Sequence, residues 1–188
     1  MQNLSMKELK ENLASKGFQL TPYSEEEINQ AKEYFGQLPE TLVAYYQLIG
    51  KVDLSNNHGA HITIVSPTEL IKINGKEGDF IKIADEYCGM FDVAIKTENL
   101  NEANPQVYLS GEVAYYVIED DEEKENELKE AGLLFADEDF IYLSGQVREL
   151  SEEMKTQEED ESEDVNYLED LLTAINYFFR YEEAFLND

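Results

Sequence analysis

The sequence predicts an α+β fold: a largely antiparallel sheet with flanking N-terminal helices and a closing C-terminal helix. Three observations carry that expectation. Up to Gly50, apolar side chains recur at helical spacing between glycines. From Ala60 onward, short β-branched or aromatic runs are separated by connections of hairpin length. The stretch VNYLEDLLTAINYFFRYEEAF then returns to helical spacing. Helices segregated around a sheet of neighbouring strands make an α+β layer structure. With 188 residues, 42% of them hydrophobic, the chain suits one compact domain with a real core. Twelve Tyr and nine Phe, without Trp, make that interior aromatic.

The elements follow in order. Leu4, Met6, Leu9 and Leu13 suit one helical stripe, and Gly17 stops it. Ser24 with Glu27 at the third place after it is a capping box, and Glu25 to Glu27 suit a helix N-terminus. Ile28, Ala31, Tyr34 and Phe35 are the expected buried face of that helix, and Gly36 ends it. Pro39 suits the first turn of a third helix, whose apolar face is Leu42, Tyr45, Tyr46 and Ile49, closed by Gly50. HITIV reads as the first strand, and PTELIKI as a helical turn begun by Pro67. Asp79 to Ala84 is the second strand, with Phe80 alternating against Lys82. Phe91 to Ile95 is the third, and Gln106 to Leu109 the fourth, delivered by the turn-like NEANP. Glu112 to Ile118 suits a strand or a short helix. DDEEKENELKEAG predicts a charged helix ended by Gly132, and Phe140 to Leu143 a last strand. The acidic stretch from Glu149 to Asp164 offers little to bury and predicts a frayed helix leading into a mobile loop. In the closing helix Leu168, Leu171, Leu172, Ile175, Phe178 and Phe179 are expected to point inward.

Charge narrows the function classes. Forty-two Asp and Glu face fourteen Lys and Arg, a formal net charge of −28. Phosphate-backbone binding relies on clustered Lys and Arg, so a nucleic-acid partner is not expected. The same charge suits fast, salt-sensitive capture of a cationic protein. A single cysteine precludes an internal disulfide framework, and no apolar run approaches a membrane span. The N-terminal stretch reads as an amphipathic helix rather than a signal peptide, so a cytoplasmic chain is expected.

These elements resemble the SUKH superfamily, which includes bacterial immunity proteins and fungal cell-wall synthesis regulators. EEEINQAKEYFGQLP leading into LVAYYQLIG, the short IVSPTELIKI, the hairpin DFIKIADEYCGMFDVAIK, PQVYL and YLEDLLTAI carry the likeness. It runs from Ser24 to Phe179 and is densest between Glu25 and Leu109. The resemblance implies a single domain over 1–188 with a variable acidic insertion around 111–165. It also implies a non-catalytic binding protein, expected to be an immunity protein that occludes a cognate basic protein toxin such as a nuclease. By position in the resembled fold, Asp85, Glu86, Tyr87 and Tyr108 are the candidate partner-binding residues. The alternative is an intracellular scaffold or regulator with no toxin partner.

The residues themselves point away from other chemistries. ADEYCG reads as a hairpin connection in which Gly89 takes a turn conformation, Asp85 caps it and Cys88 packs as a small apolar group. A thiol nucleophile would need a base, and the histidines, His58 and His61, share one loop. That histidine pair lacks the four-ligand pattern of structural zinc. The acidic run from Asp120 to Glu123 lacks the spacing of a calcium loop. No carboxylate pair is singled out for glycoside chemistry. No enzyme activity, cofactor, metal or membrane partner is expected, and the oligomeric state is left open.

Overall fold

The computed structural model describes residues 3–53, 62–76, 78–86, 91–111, 114, 118, 121–136, 140–147 and 168–186. The fold is α+β. Its helices are α1 (Met6–Ser15), α2 (Glu25–Phe35), α3 (Glu40–Leu48), α4 (Glu122–Glu130) and α5 (Leu171–Leu186). The strands are β1 (Leu20–Thr21), β2 (Lys51–Val52), β3 (Ile62–Ile64), β4 (Ile71–Ile73), β5 (Phe80–Glu86), β6 (Asp92–Lys96), β7 (Tyr108–Ser110), β8 (Leu134–Ala136) and β9 (Ile141–Ser144).

Two helices start in the same way. The Ser5 and Ser24 side chains accept from the amides of Glu8 and Glu27, whose carboxylates accept from the serine N–H in return. Each box satisfies two donors that a helix start leaves open. α3 begins differently: Pro39 is its cap rather than its first residue and makes no side-chain cap bond. Along α2, Ile28 and Ala31 are buried, but Tyr34 is 77% exposed, which corrects its expected place in the core. At 3.6 residues per turn Tyr34 lies about 60° beyond Ala31, on the side away from Ile28.

Strands β3 to β9 form one sheet in the order β3-β5-β6-β7-β9-β8, with β4 also paired to β5, and every pairing is antiparallel. β3 lies along Ala84 to Glu86 and β4 along Phe80 to Lys82, so the two share one edge of β5. Strands β1, β2, β4 and β8 exceed the expected set. The IKI of PTELIKI is extended, and only Pro67–Glu69 forms a 3-10 turn. β1 and β2 make a separate small pair beside the helices.

One face of the sheet carries Ile62, Ile81, Ile83, Val93, Ile95, Leu109 and Leu143 into the main core. Leu9, Leu13, Leu42, Tyr46, Ile175 and Phe178 belong to the same cluster from the helical side. Tyr46 ties the layers together: its hydroxyl donates to the Val65 carbonyl at 2.9 Å, and its own carbonyl accepts from Tyr23 N–H at 3.0 Å. Burial pushes the Tyr46 hydroxyl well above the ordinary tyrosine range. The other face holds a second cluster built of Phe80, Ala94, Tyr108, Phe135 and Tyr142.

The stretch before α1 meets α5 at Asn176, which is 1% exposed. Its amide accepts from Leu4 N–H at 2.9 Å and donates to the carbonyls of Leu4 at 2.9 Å and Leu172 at 3.0 Å. Asn176→Leu leaves those Leu4 groups without their partner, so a loss of about 1–3 kcal/mol is expected. Amide exchange should speed up in α1 before the rest of the protein, and uniform protection across α1 would refute the clamp.

Candidate functional site

The site is built on the outer face of β5 and β6, and its geometry comes from a β-bulge. Phe80 pairs with Lys96, Ile81 with Ile95 and Lys82 with Ala94; the register then slips between Lys82 and Ala84. In a regular strand Ile83 and Ala84 would face opposite sides. Here both lie in the main core. The slip therefore moves Asp85 to the outer face, where it stands directly across from Asp92. Phe80 and Lys82, expected to alternate, share that outer face two residues apart.

Asp85 and Asp92 would repel if both were charged and unaccompanied. Lys82 answers this by pairing with both: its ammonium contacts an Asp85 oxygen, and it lies 3.1 Å from Asp92 Oδ1. Partial burial of Lys82 works against its charge, while its hydrogen bonds to Asp85 and Asp92 raise its affinity for the proton, and the balance is upward. Asp92 is also raised, first by burial and then by a hydrogen bond with the Asp85 carboxyl, against the opposing pull of Lys82. Burial and the contact with Asp85 thus both favour the protonated form of Asp92. Beside them, burial and the Asp92 charge hold the Tyr142 phenol well above its ordinary range, with Ser110 bonding in the opposite sense.

The sign of the pH effect follows. Asp92 holds its proton more tightly in the fold than its free value of 3.8. The folded state therefore binds more protons than the unfolded chain just above pH 3.8, and this group's contribution to stability falls as pH rises through that window. Asp92→Asn removes the effect and the like-charge contact, and is expected to stabilise the protein at pH 7 by roughly 0.2–1 kcal/mol. Thermal melts of both proteins across the acid range test this; parallel curves would count against a raised Asp92.

The other end of the outer face is aromatic. Phe80 stacks on Tyr142 at 4.5 Å and meets Tyr108, Phe135 and Phe140 edge-on. Lys96 Nζ sits 3.7 Å from the centre of the Phe135 ring and also pairs with Glu98. Burial, then Glu98 and Glu102, raise the Tyr108 hydroxyl.

The candidate residues from the sequence are thus placed unequally. The Asp85 side chain is 46% exposed, whereas Tyr108 is 4% exposed and packed among rings. Glu86 ends β5 across from Ile62. Tyr87, Cys88 and Gly89, with His58 and His61, lie outside the described residues, as does the acidic stretch 149–164. Sequence reasoning missed Asp92, Lys82 and Tyr142. The alternation of Asp92, Ala94 and Lys96 could have marked one face of β6, but a register slip leaves no mark in composition.

Among the described residues, no group of three or more His, Cys, Asp or Glu side chains is placed to hold a metal ion. No helix among them is long and apolar enough to cross a membrane. Chemically, the Asp85–Asp92–Lys82 group can hold a proton at Asp92 and can offer Asp85 oxygens to a Lys or Arg from outside. Comparisons with protein-family models, with curated proteins and with solved structures return no match to this chain.

Proposed function

We propose that the protein is a non-catalytic binding protein of the bacterial cytoplasm. In this reading it is an immunity protein that captures a basic protein toxin and occludes its cationic working surface. The reading rests on the SUKH-like succession of elements and on one physical observation, the formal charge of −28 on a folded chain. A field of that sign accelerates encounter with a cationic surface and repels nucleic acids. Locally, Asp85 presents its carboxylate to solvent beside Asp92, and an incoming Lys or Arg would compete with Lys82 for it.

The first test is capture of native partners by the tagged protein at low and moderate salt. One basic protein, held at low salt and weakened by more salt, supports neutralisation. A broad set of ordinary cellular partners would favour the scaffold reading instead. With the partner in hand, Asp85→Lys combined with Glu86→Lys is expected to slow association by roughly tenfold at low salt, with the difference closing as salt rises. An unchanged on-rate at low salt would remove this face from the contact.

A further inference from the structure

The register slip that builds the outer face also leaves a charge imbalance on it. Asp85 and Asp92 stand directly across from each other, and both side chains are partly exposed. Lys82 is the cation that the described residues give them, and it serves both. Two carboxylates therefore divide one ammonium, in a chain whose formal charge is −28.

The face is open at this end. Thr63 lies across from Asp85 and is exposed. Ile71 lies across from Lys82, so its side chain stands on the same face, and it is 55% exposed. Side chains directly opposite one another on paired strands are in contact range. An aliphatic side chain, an ammonium and two carboxylates are thus laid side by side within reach of a partner.

The chemistry selects arginine. An ammonium is a point donor, whereas a guanidinium gives one carboxylate two parallel hydrogen bonds. A partly exposed ion pair is weak, so Lys82 yields Asp85 at small cost and keeps Asp92, 3.1 Å away. Before the exchange, two carboxylates face each other over one cation; after it, each has its own. The second cation relieves the like-charge opposition across the β5–β6 pair. A neutral or anionic side chain brings no such relief.

We infer that this end of the outer face docks an arginine side chain of a basic partner protein. The guanidinium takes Asp85, Lys82 withdraws to Asp92, and an aliphatic group beside that arginine covers Ile71. Lys82 then acts as an internal competitor that sets the affinity, not as a contact. The inference rests on the reading that the partner is basic, and names the residue taken and the exchange that takes it.

The probe is a labelled peptide carrying Leu and Arg in a neutral Ser and Gly background, compared with peptides that have Lys or citrulline in place of Arg. Each is titrated into the full chain and followed by fluorescence anisotropy and amide chemical shifts. The arginine peptide is expected to bind saturably, with shifts at Ile71, Lys82, Asp85 and Asp92. The lysine peptide should bind more weakly, and citrulline, which keeps the shape without the charge, not at all. Asp85→Asn should weaken the arginine peptide about tenfold. Ile71→Ser should weaken it about threefold and leave its salt dependence unchanged. Lys82→Met should strengthen it, and by more than Lys72→Met, which removes the same charge from β4 at its pair with Asp79. Asp85→Asn and Ile71→Ser change exposed side chains, so they still decide the matter if Lys82→Met fails to fold. The inference is overturned by no binding of the arginine peptide, by equal binding of citrulline, by shifts that fall elsewhere, or by equal gains from Lys82→Met and Lys72→Met. The pull-down tests capture of a basic protein without reference to this face, so that reading and this docking point fail separately.

Discussion

Phe80→Ala is expected to destabilise the protein by about 3–5 kcal/mol, the range for removing a fully buried ring. Small domains have only about 5–15 kcal/mol in total. Phe80 is 0% exposed and sits at the centre of the outer cluster. It touches Tyr142 at 4.5 Å, Tyr108 at 5.3 Å, Phe135 at 5.7 Å and Phe140 at 6.0 Å between ring centres. Those rings come from β7, β8, β9 and the residue before β9. Phe80 therefore links the β4–β5 edge of the sheet to the far β8–β9 hairpin, beyond the reach of ladder hydrogen bonds. Its loss opens a cavity that rings on four sides cannot all close. Phe80→Leu, which keeps most of the volume, should cost markedly less. Urea unfolding followed by far-ultraviolet and tyrosine signals gives both values. A loss below about 1.5 kcal/mol for the alanine variant would mean that the outer cluster is not a packed core.

Which parts of this fold were legible in the sequence follows from where the determining physics acts. Helix starts are local. Ser24 and Glu27 announce α2 from three residues apart, and Ser5 with Glu8 carries the same signal for α1 beside its apolar spacing. The Leu42, Tyr45, Tyr46 and Ile49 stripe is likewise local, and all four are buried. Tyr34 shows the limit: a tyrosine at helical spacing from Ile28 and Ala31 looks like core, yet only the packing of α2 decides where the buried stripe ends. Strands too short to show alternation, β4 and β8 among them, exist because β5 and β9 offer edges to pair with. Pairing across the sheet is not written in any one segment. The candidate site divides in the same way. Asp85 is a candidate by its position in the resembled fold, whereas its facing partner Asp92 depends on a bulge that arises from the pairing of β5 with β6. Tyr108 is a candidate on the same ground, but its burial is set by rings from β5, β8 and β9. Even the second sheet face, with Phe80, Tyr108 and Tyr142, reads in sequence only as aromatic content.

Gly50→Ala is expected to cost at least about 3 kcal/mol, combining roughly 1–2 kcal/mol for a left-handed backbone angle with the strain of overpacking. Gly50 has a φ of +67°. A Cβ placed there would collide with the Thr21 carbonyl oxygen and crowd Pro22 Cα, both of them backbone. Gly50 leads directly into β2, and Thr21 pairs with Lys51 across the small β1–β2 ladder. Relief would require that ladder to separate, and with it the Tyr23 amide from the Tyr46 carbonyl, which it meets at 3.0 Å. Tyr46 is fully buried and ties α3 to Val65 beside the sheet, so the disturbance would enter the main core. Gly36→Ala supplies the control. Gly36 has a φ of +82° with nothing within 4 Å of the added carbon, so it carries the backbone strain without the collision. Its substitution is expected to cost about 1–2 kcal/mol. The difference between the two midpoints in chemical unfolding isolates the contact between Gly50 and β1. Equal losses would mean that β1 moves aside freely and that the β1–β2 pair adds little to holding α3 in place.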